Sequence, residues 1–191
     1  MRPNKKDELV SKALEVFYRD GFHATGMDKL VVETGVSKTS MYKHFRTKDD
    51  LILAALELRD RNFREWFLNR VAEMADTPEG QLIAGFDALA EWFEEDNYRG
   101  CMFIKACSEF QEAEHPIHQQ AARHKQILLE HLTGLAKTAG AKDPDCLGSQ
   151  MLLLKEGAIV SSVLINSGAP ARDAKAAARV LLDQALEHQA A

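Results

Sequence analysis

Apolar residues recur along the chain at the three- and four-residue spacing of amphipathic helices. The first such stripe runs from Leu9 to Tyr18 and predicts a helix of about residues 4–20 that stops at Gly21. Similar stripes follow almost to the end of the chain, separated by capping residues, glycines and prolines. We therefore predict an all-α fold of about nine helices.

Residues 25 to 50 hold the most informative part of this pattern. Thr25 with Asp28 is suited to cap a short helix that Gly35 ends, and Ser37 has the hydroxyl that a new N-cap requires. The connection of about three residues has the length of the turn in a helix-turn-helix. These residues therefore predict two helices joined by a tight turn.

The second of these helices, over residues 38–46, has two different faces. Met41 and Phe45 lie one turn apart and are predicted to face inward. The outward positions are Thr39, Ser40 and Lys43, with Tyr42 and His44 on the flanks. A helix of this width, inserted into the major groove, would direct its outward side chains at base edges and its flanks at phosphates.

The charge distribution favours nucleic acid only for the N-terminal part. The formal net charge is −5, yet the run from Ser37 to Lys48 contains four basic residues and no acidic one. Residues 1–50 carry 10 basic and 8 acidic side chains, whereas the remainder carries 14 and 21. Lys48 lies in the first turn of a long helix opened by Thr47 and Asp50, where the positive helix end favours a phosphate.

The segment from Gly35 to Leu51, preceded by Thr25 and by a helix that ends in Phe17–Phe22, resembles the DNA-binding domain of the tetracycline-repressor (TetR) family. The resemblance implies a DNA-binding domain over 1–50 and an effector-binding and dimerisation domain over 51–191. It implies a cytoplasmic, homodimeric regulator without enzymatic activity or cofactor, most often a repressor that a small molecule releases from a palindromic operator. The expected DNA contacts are Thr25, Lys38, Thr39, Ser40, Tyr42, Lys43, His44 and Lys48.

The last two predicted helices suggest how two copies would associate. The helix from Asp143-Pro144 to about Asn166 is apolar on nearly every side, so it must be covered all round. The last helix, from about Pro170 to His188, has one smooth stripe of Ala174, Ala178, Leu181, Leu182 and Ala185. We expect a homodimer through these helices, as a four-helix bundle across a two-fold axis. Packing within one chain is the alternative.

The effector site is expected among large apolar residues of the C-terminal part, namely Phe86, Leu89, Trp92, Phe93, Met102, Phe103, Cys107 and Phe110. Each of these residues is equally well explained as plain core. Their composition favours a partly apolar small molecule. The acidic residues nearby, Glu109 and Glu112, are consistent with ordinary surface.

Other classes of function have weaker support. His115, His118, His124 and His131 suggest a metal sensor, but no carboxylate stands at a matching ligand offset. The three cysteines lack a Cys-x-x-Cys spacing, and no thiol has an evident basic neighbour except Lys105. No nucleophile elbow, phosphate loop or paired-carboxylate motif indicates an enzyme, and no apolar run is long enough to suggest a membrane span. A ligand-free architectural DNA-binding protein would require basic charge throughout the chain.

Overall fold

The computed structural model describes residues 5–186, and that part of the chain is built from helices without strands. The described helices are α1 Lys5–Asp20, α2 Met27–Thr34, α3 Lys38–His44, α4 Lys48–Met74, α5 Pro78–Phe93, α6 Met102–Glu109, α7 Pro116–Thr138, α8 Pro144–Ile165 and α9 Ala169–Leu186. The predicted fold class is confirmed. The predicted first residue of the first helix and the predicted end of the last at His188 lie outside the described residues.

Local capping explains why several helices begin where they do. In the first turn of α4 the Thr47 amide donates to the Asp50 carboxylate at 2.9 Å, and the Asp50 amide donates to the Thr47 hydroxyl at 3.0 Å. Thr77 and Asp143 likewise accept hydrogen bonds from the amides three residues on, and each is followed by a proline in the first turn of α5 or α8. These starts were predicted from the sequence.

Thr25 does not cap α2 as predicted. The N-cap is Gly26, which makes no side-chain capping bond. The Thr25 side chain is fully buried, and its hydroxyl donates to the Gly21 carbonyl at 2.7 Å. The reason is local: Gly21 has φ 84° and turns the chain back sharply, which brings its carbonyl within reach of the hydroxyl four residues on.

The chain divides into two compact units. The first contains the residues up to Phe63 together with Met102–His124, so α1–α3 share it with α6 and the first parts of α4 and α7. Its core includes fully buried Leu9, Phe17, Phe22, Leu30 and Met41. The division between the units thus falls inside α4 after Phe63, whereas the predicted boundary between residues 50 and 51 stays a prediction.

The second unit contains Arg64–Cys101 and the residues from Lys125 onward. Here α5, α8 and α9 pack on one another. Where α8 meets α7, a Cβ added at Gly148 would lie 2.9 Å from the backbone of Thr133, so only glycine fits without a shift. The Tyr98 hydroxyl lies 2.7 Å from that of Ser162, and the Lys175 ammonium donates to Asp87 at 2.6 Å.

Most of the stripe predicted on the last helix is buried within its own unit, while the predicted role of this helix in a dimer stays a prediction. Ala174, Ala178 and Leu182 are buried where α9 packs against α5 and α8. Exposed large apolar side chains lie instead mainly on α8, at Leu153, Val160, Val163, Leu164 and Ile165, with Val180 on α9. Periodicity identified the apolar face of the helix but not the helices that cover it.

By length and composition, α8 is the one described helix that could cross a membrane. Lys155 and Glu156 stand in its middle, however, and its buried face packs on the neighbouring helices of the unit. A core helix of a helical domain has the same character, so α8 does not indicate a membrane protein.

Candidate nucleic-acid interface

The turn between α2 and α3 is fixed by bonds within a few residues. Gly35 ends α2 in the left-handed conformation at φ 69°, and its amide donates to the Val31 carbonyl at 3.0 Å. Ser37 then caps α3, its hydroxyl accepting from the Ser40 amide at 3.3 Å. The sequence therefore closes this turn without help from distant residues.

The two faces of α3 have opposite environments. Met41 is fully buried and Phe45 is buried beside it, which fixes the rotation of the helix about its own axis. Thr39, Tyr42, Lys43 and His44 are exposed, and Ser40 is half-buried. The outer face of α3 is thus a polar, basic surface that the rest of the described chain does not cover.

Lys38 stands at the start of α3 and is paired within the domain. Its ammonium lies 2.9 Å from the Asp28 carboxylate. This hydrogen bond raises the pKa of Lys38 above its ordinary value. Because both side chains are largely exposed, water screens the pair and the ammonium can exchange Asp28 for another anion at little cost.

Lys48 is held differently. Its ammonium donates to the Phe22 carbonyl at 3.0 Å, which ties the start of α4 to the turn between α1 and α2. An ammonium has three donors, so this bond leaves capacity for a phosphate contact as well. The predicted DNA contact of Lys48 therefore stays a prediction.

Thr25 is the one predicted contact residue whose side chain is unavailable. It is buried and its hydroxyl is bonded to the Gly21 carbonyl, so no side-chain contact to DNA is possible in this conformation. The other seven predicted residues lie on α3 or at the start of α4. The structure brings them together on two consecutive helices.

The residues predicted to line an effector pocket are divided between the two units. Phe86, Leu89, Trp92 and Phe93 belong to α5, and Met102, Phe103, Cys107 and Phe110 belong to α6 or follow it directly. All are buried except half-buried Phe93 and Cys107. Several take part in ring contacts, such as Trp92 with Tyr98 at 4.9 Å, and a role in binding stays a prediction.

Two of the four histidines considered for a metal site bond to a carboxylate or to a backbone carbonyl. The Nδ1 of His124 lies 2.6 Å from Asp60, and that of His118 lies 2.8 Å from the Phe110 carbonyl. Among residues 5–186 no group of three His, Cys, Asp or Glu side chains is arranged to hold a metal ion. The metal-sensor alternative thus gains no support.

The sequence analysis did not predict the contacts made by two sets of charged residues. Glu109 and Lys105 on α6 bond to the backbone at the end of α1 and in the turn that follows it. In the second unit, Lys125 donates to Glu156 at 2.5 Å and to the thiol of buried Cys101 at 3.2 Å. This contact supplies a basic neighbour for Cys101 that sequence spacing did not reveal.

Comparisons with known proteins agree with this geometry. Residues 9–55 match the family described as bacterial regulatory proteins, tetR family. The HTH-type transcriptional regulator YjdC of Escherichia coli K12 is 25% identical over 85% of this chain and 84% of YjdC. The HTH-type transcriptional activator FasR of Mycolicibacterium smegmatis is 32% identical over 50% of this chain and 43% of FasR.

The same fold occurs in a solved structure. SCO4454, a TetR-family transcriptional regulator from Streptomyces coelicolor, matches with a TM-score of 0.88 and 27% identity over 94% of this chain and 95% of SCO4454. These relatives are transcriptional regulators rather than enzymes. The helix-turn-helix thus lies within the match to the tetR family over residues 9–55, and the chain as a whole shares the all-helical fold of a TetR-family transcriptional regulator.

Proposed function

We propose that the protein is a homodimeric repressor that binds a palindromic operator and releases it when a small molecule binds. The observation that carries this proposal is the exposed polar face of α3, opposite fully buried Met41. A two-fold dimer would present two such helices to successive major grooves, which requires half-sites about 10 bp or somewhat more apart.

The exposed side chains of α3 have complementary chemistry. Thr39, Ser40 and Lys43 are proposed to contact base edges, and Lys43 is suited to the acceptors of guanine. The phosphates on either side of the major groove are proposed to contact Tyr42, His44, Lys38 and Lys48. The phosphate contacts would supply affinity and the base contacts would select the sequence.

The experiment that tests DNA recognition is selection from a pool of random duplexes, followed by gel-shift titration of the enriched sequences. We expect enrichment of an inverted repeat and loss of affinity as salt is raised. Enrichment of no sequence, or binding equal on every duplex, would contradict the proposal.

A second copy is proposed to cover the exposed apolar residues of α8. Leu153, Gly157, Val160 and Leu164 follow one another at helical spacing along one face, and a Cβ at Gly157 would meet no atom within 4 Å. Leu153 and Leu164 are 70% and 78% exposed, which is unfavourable for leucines in water. An isologous pairing of this face would bury it and let two backbones approach closely at Gly157.

Release by a ligand would follow from linkage. A small molecule that binds better when the two DNA-binding heads are spread must weaken operator binding by the same factor. Of the predicted lining, the apolar residues of α5 are proposed to contact the effector within the second unit, and they favour a partly apolar molecule. A thermal-shift screen of such compounds, followed by gel shifts with those that stabilise the protein, tests this point. If no compound stabilised the protein and released DNA, a ligand-free architectural role would be favoured.

A further inference from the structure

Helix α6 holds the turn between α1 and α2 by a carboxylate. Glu109 accepts hydrogen bonds from the backbone amides of Phe22 at 3.0 Å and His23 at 2.6 Å. A Cβ added at Gly21 would lie 3.0 Å from the Glu109 carboxylate, so the glycine leaves room for this close approach. The two amides belong to the segment that leads directly into the helix-turn-helix.

A lysine one turn earlier on α6 holds the other side of the same turn. The Lys105 ammonium donates to the Tyr18 carbonyl at 3.0 Å, near the C-terminal end of α1. The two charges match the backbone they contact, because carbonyls at a helix end attract a cation and free amides attract an anion. Since Lys105 and Glu109 are four residues apart, both side chains project from one face of α6.

The same short helix is also fixed to α4. Phe103 stacks on His124 with a ring separation of 3.7 Å and an interplanar angle of 11°. His124 in turn lies 2.6 Å from Asp60 of α4 and is itself buried. Helix α6 therefore has fixed contacts both with α4, through His124, and with the turn that precedes α2.

We propose that Glu109 is a positioning residue for DNA binding, through which α6 sets the orientation of the helix-turn-helix. Glu109 would act through the amides of Phe22 and His23 rather than through a DNA contact of its own. A displacement of α6 would be transmitted to α2 and α3 by this contact. The inference rests on the proposed function, since it assumes that α3 binds an operator.

The decisive experiment is Glu109→Gln, because its effect on charge and its effect on the two hydrogen bonds should change DNA affinity in opposite directions. Glu109→Gln removes a negative charge from the DNA-binding unit, which by electrostatics alone would strengthen binding to any DNA. Loss of the two-amide contact would instead weaken operator binding by about tenfold or more, as expected for hydrogen bonds to a charged group. We therefore expect weaker operator binding with unchanged or stronger binding to random duplex.

Glu112→Gln is the matched control, since it makes the same charge change at an exposed residue in the segment between α6 and α7. Equal effects of the two substitutions on operator binding would overturn the positioning role. Circular dichroism at the assay temperature establishes that both variants are folded, and Glu109→Asp, which keeps the carboxylate, should recover more affinity than Glu109→Ala.

A spectroscopic measurement separates this inference from the regulator proposal. In ¹⁵N-labelled protein, Glu109→Gln should shift the amide signals of both Phe22 and His23 and weaken their protection from hydrogen exchange. Unchanged signals together with normal operator binding would overturn the positioning role alone. Failure of the wild-type protein to select any DNA would overturn both proposals.

Discussion

At the scale of single residues, the environment decides what each charged side chain can do. Lys43 and Lys48 are five residues apart in a basic run, but only Lys43 is exposed on α3, while the ammonium of Lys48 is bonded to the Phe22 carbonyl. An exposed side chain such as that of Lys43 is suited to contact base edges in the major groove of DNA. A lysine held by the domain, such as Lys48, is suited to contact a DNA phosphate and so to fix the position of the domain on the duplex.

The two lysines are therefore expected to differ when mutated. Lys43→Ala should cost roughly 1–3 kcal/mol at one base position of each half-site and relax the preference there. Lys48→Ala should weaken binding to all sequences and reduce the salt slope by about one. Gel shifts on a panel of operator variants at several salt concentrations test this, with exposed Lys137→Ala as control. Equal losses on every variant for Lys43→Ala would exclude a base contact.

Lys155 is a charge in an unfavourable place. It is 4% exposed, and its ammonium lies 4.8 Å from the centre of the Phe67 ring. Burial lowers the pKa of Lys155 to about 8, and the neighbouring Glu156 offsets only part of this effect. Between about pH 8 and the ordinary lysine pKa of about 10.4, the unfolded chain therefore binds more protons than the native state. Stability contributed by this group rises with pH over that window.

Lys155→Met should thus stabilise the protein at pH 7, by roughly 1–3 kcal/mol, because a buried charge is replaced by an apolar group of similar volume. The advantage should shrink as the pH rises above about 8, because native Lys155 is then increasingly neutral and the cost of burying its charge no longer applies in full. Denaturant unfolding of both proteins between about pH 7 and pH 9.5 measures this difference in the free energy of unfolding. Destabilisation at pH 7 would instead mean that its neighbours stabilise the ammonium by more than burial costs.

At the scale of elements, the turn between α2 and α3 depends on backbone conformation. Gly35 adopts φ 69° with no atom within 4 Å of an added Cβ, so a substitution there is strained by conformation alone. Gly134 lies inside α7 and also has open space around it, but no such backbone constraint applies. The two glycines form a matched pair.

We expect opposite effects from the same substitution at these positions. Gly35→Ala should destabilise the protein by about 1–2 kcal/mol, the cost of the left-handed conformation for a residue with a side chain. Gly134→Ala should stabilise it by about 0.5–1 kcal/mol, because alanine is favoured over glycine within a helix. Denaturant titration measures both. Equal changes in the two variants would contradict the role assigned to the Gly35 conformation.

At the scale of the whole molecule, the proposed function requires a second copy. The exposed apolar residues of α8 lie in the second unit, whereas α3 lies in the first. Only a dimer presents two recognition helices to one duplex. Association and DNA binding should therefore be lost together.

Leu164→Glu should shift the protein from dimer to monomer, because an isologous interface would place two new carboxylates close together without partners. Sedimentation velocity over a range of concentrations measures the shift, and gel shifts should show operator affinity falling with it. Ala122→Glu adds the same charge to an exposed position of α7 and serves as the control. A dimeric Leu164→Glu variant would place the interface elsewhere.

The sequence by itself determined what depends on neighbours within about four residues. The Gly35 stop, the Ser37 cap, the Thr47–Asp50 box and the inward positions of Met41 and Phe45 all follow from local bonds and helical period. The recognition helix and its exposed face were predictable for this reason.

Only the tertiary structure decided which partner each face and each charge meets. Glu109 bonds to amides 86 and 87 residues away, and buried Lys155 interrupts an apolar helix, neither of which leaves a periodic signal. The stripe on α9 was correctly identified as apolar, yet it faces α5 and α8 while the exposed apolar residues are mostly on α8. Periodicity tells which side of a helix avoids water, whereas what covers that side depends on contacts between residues that are distant in sequence.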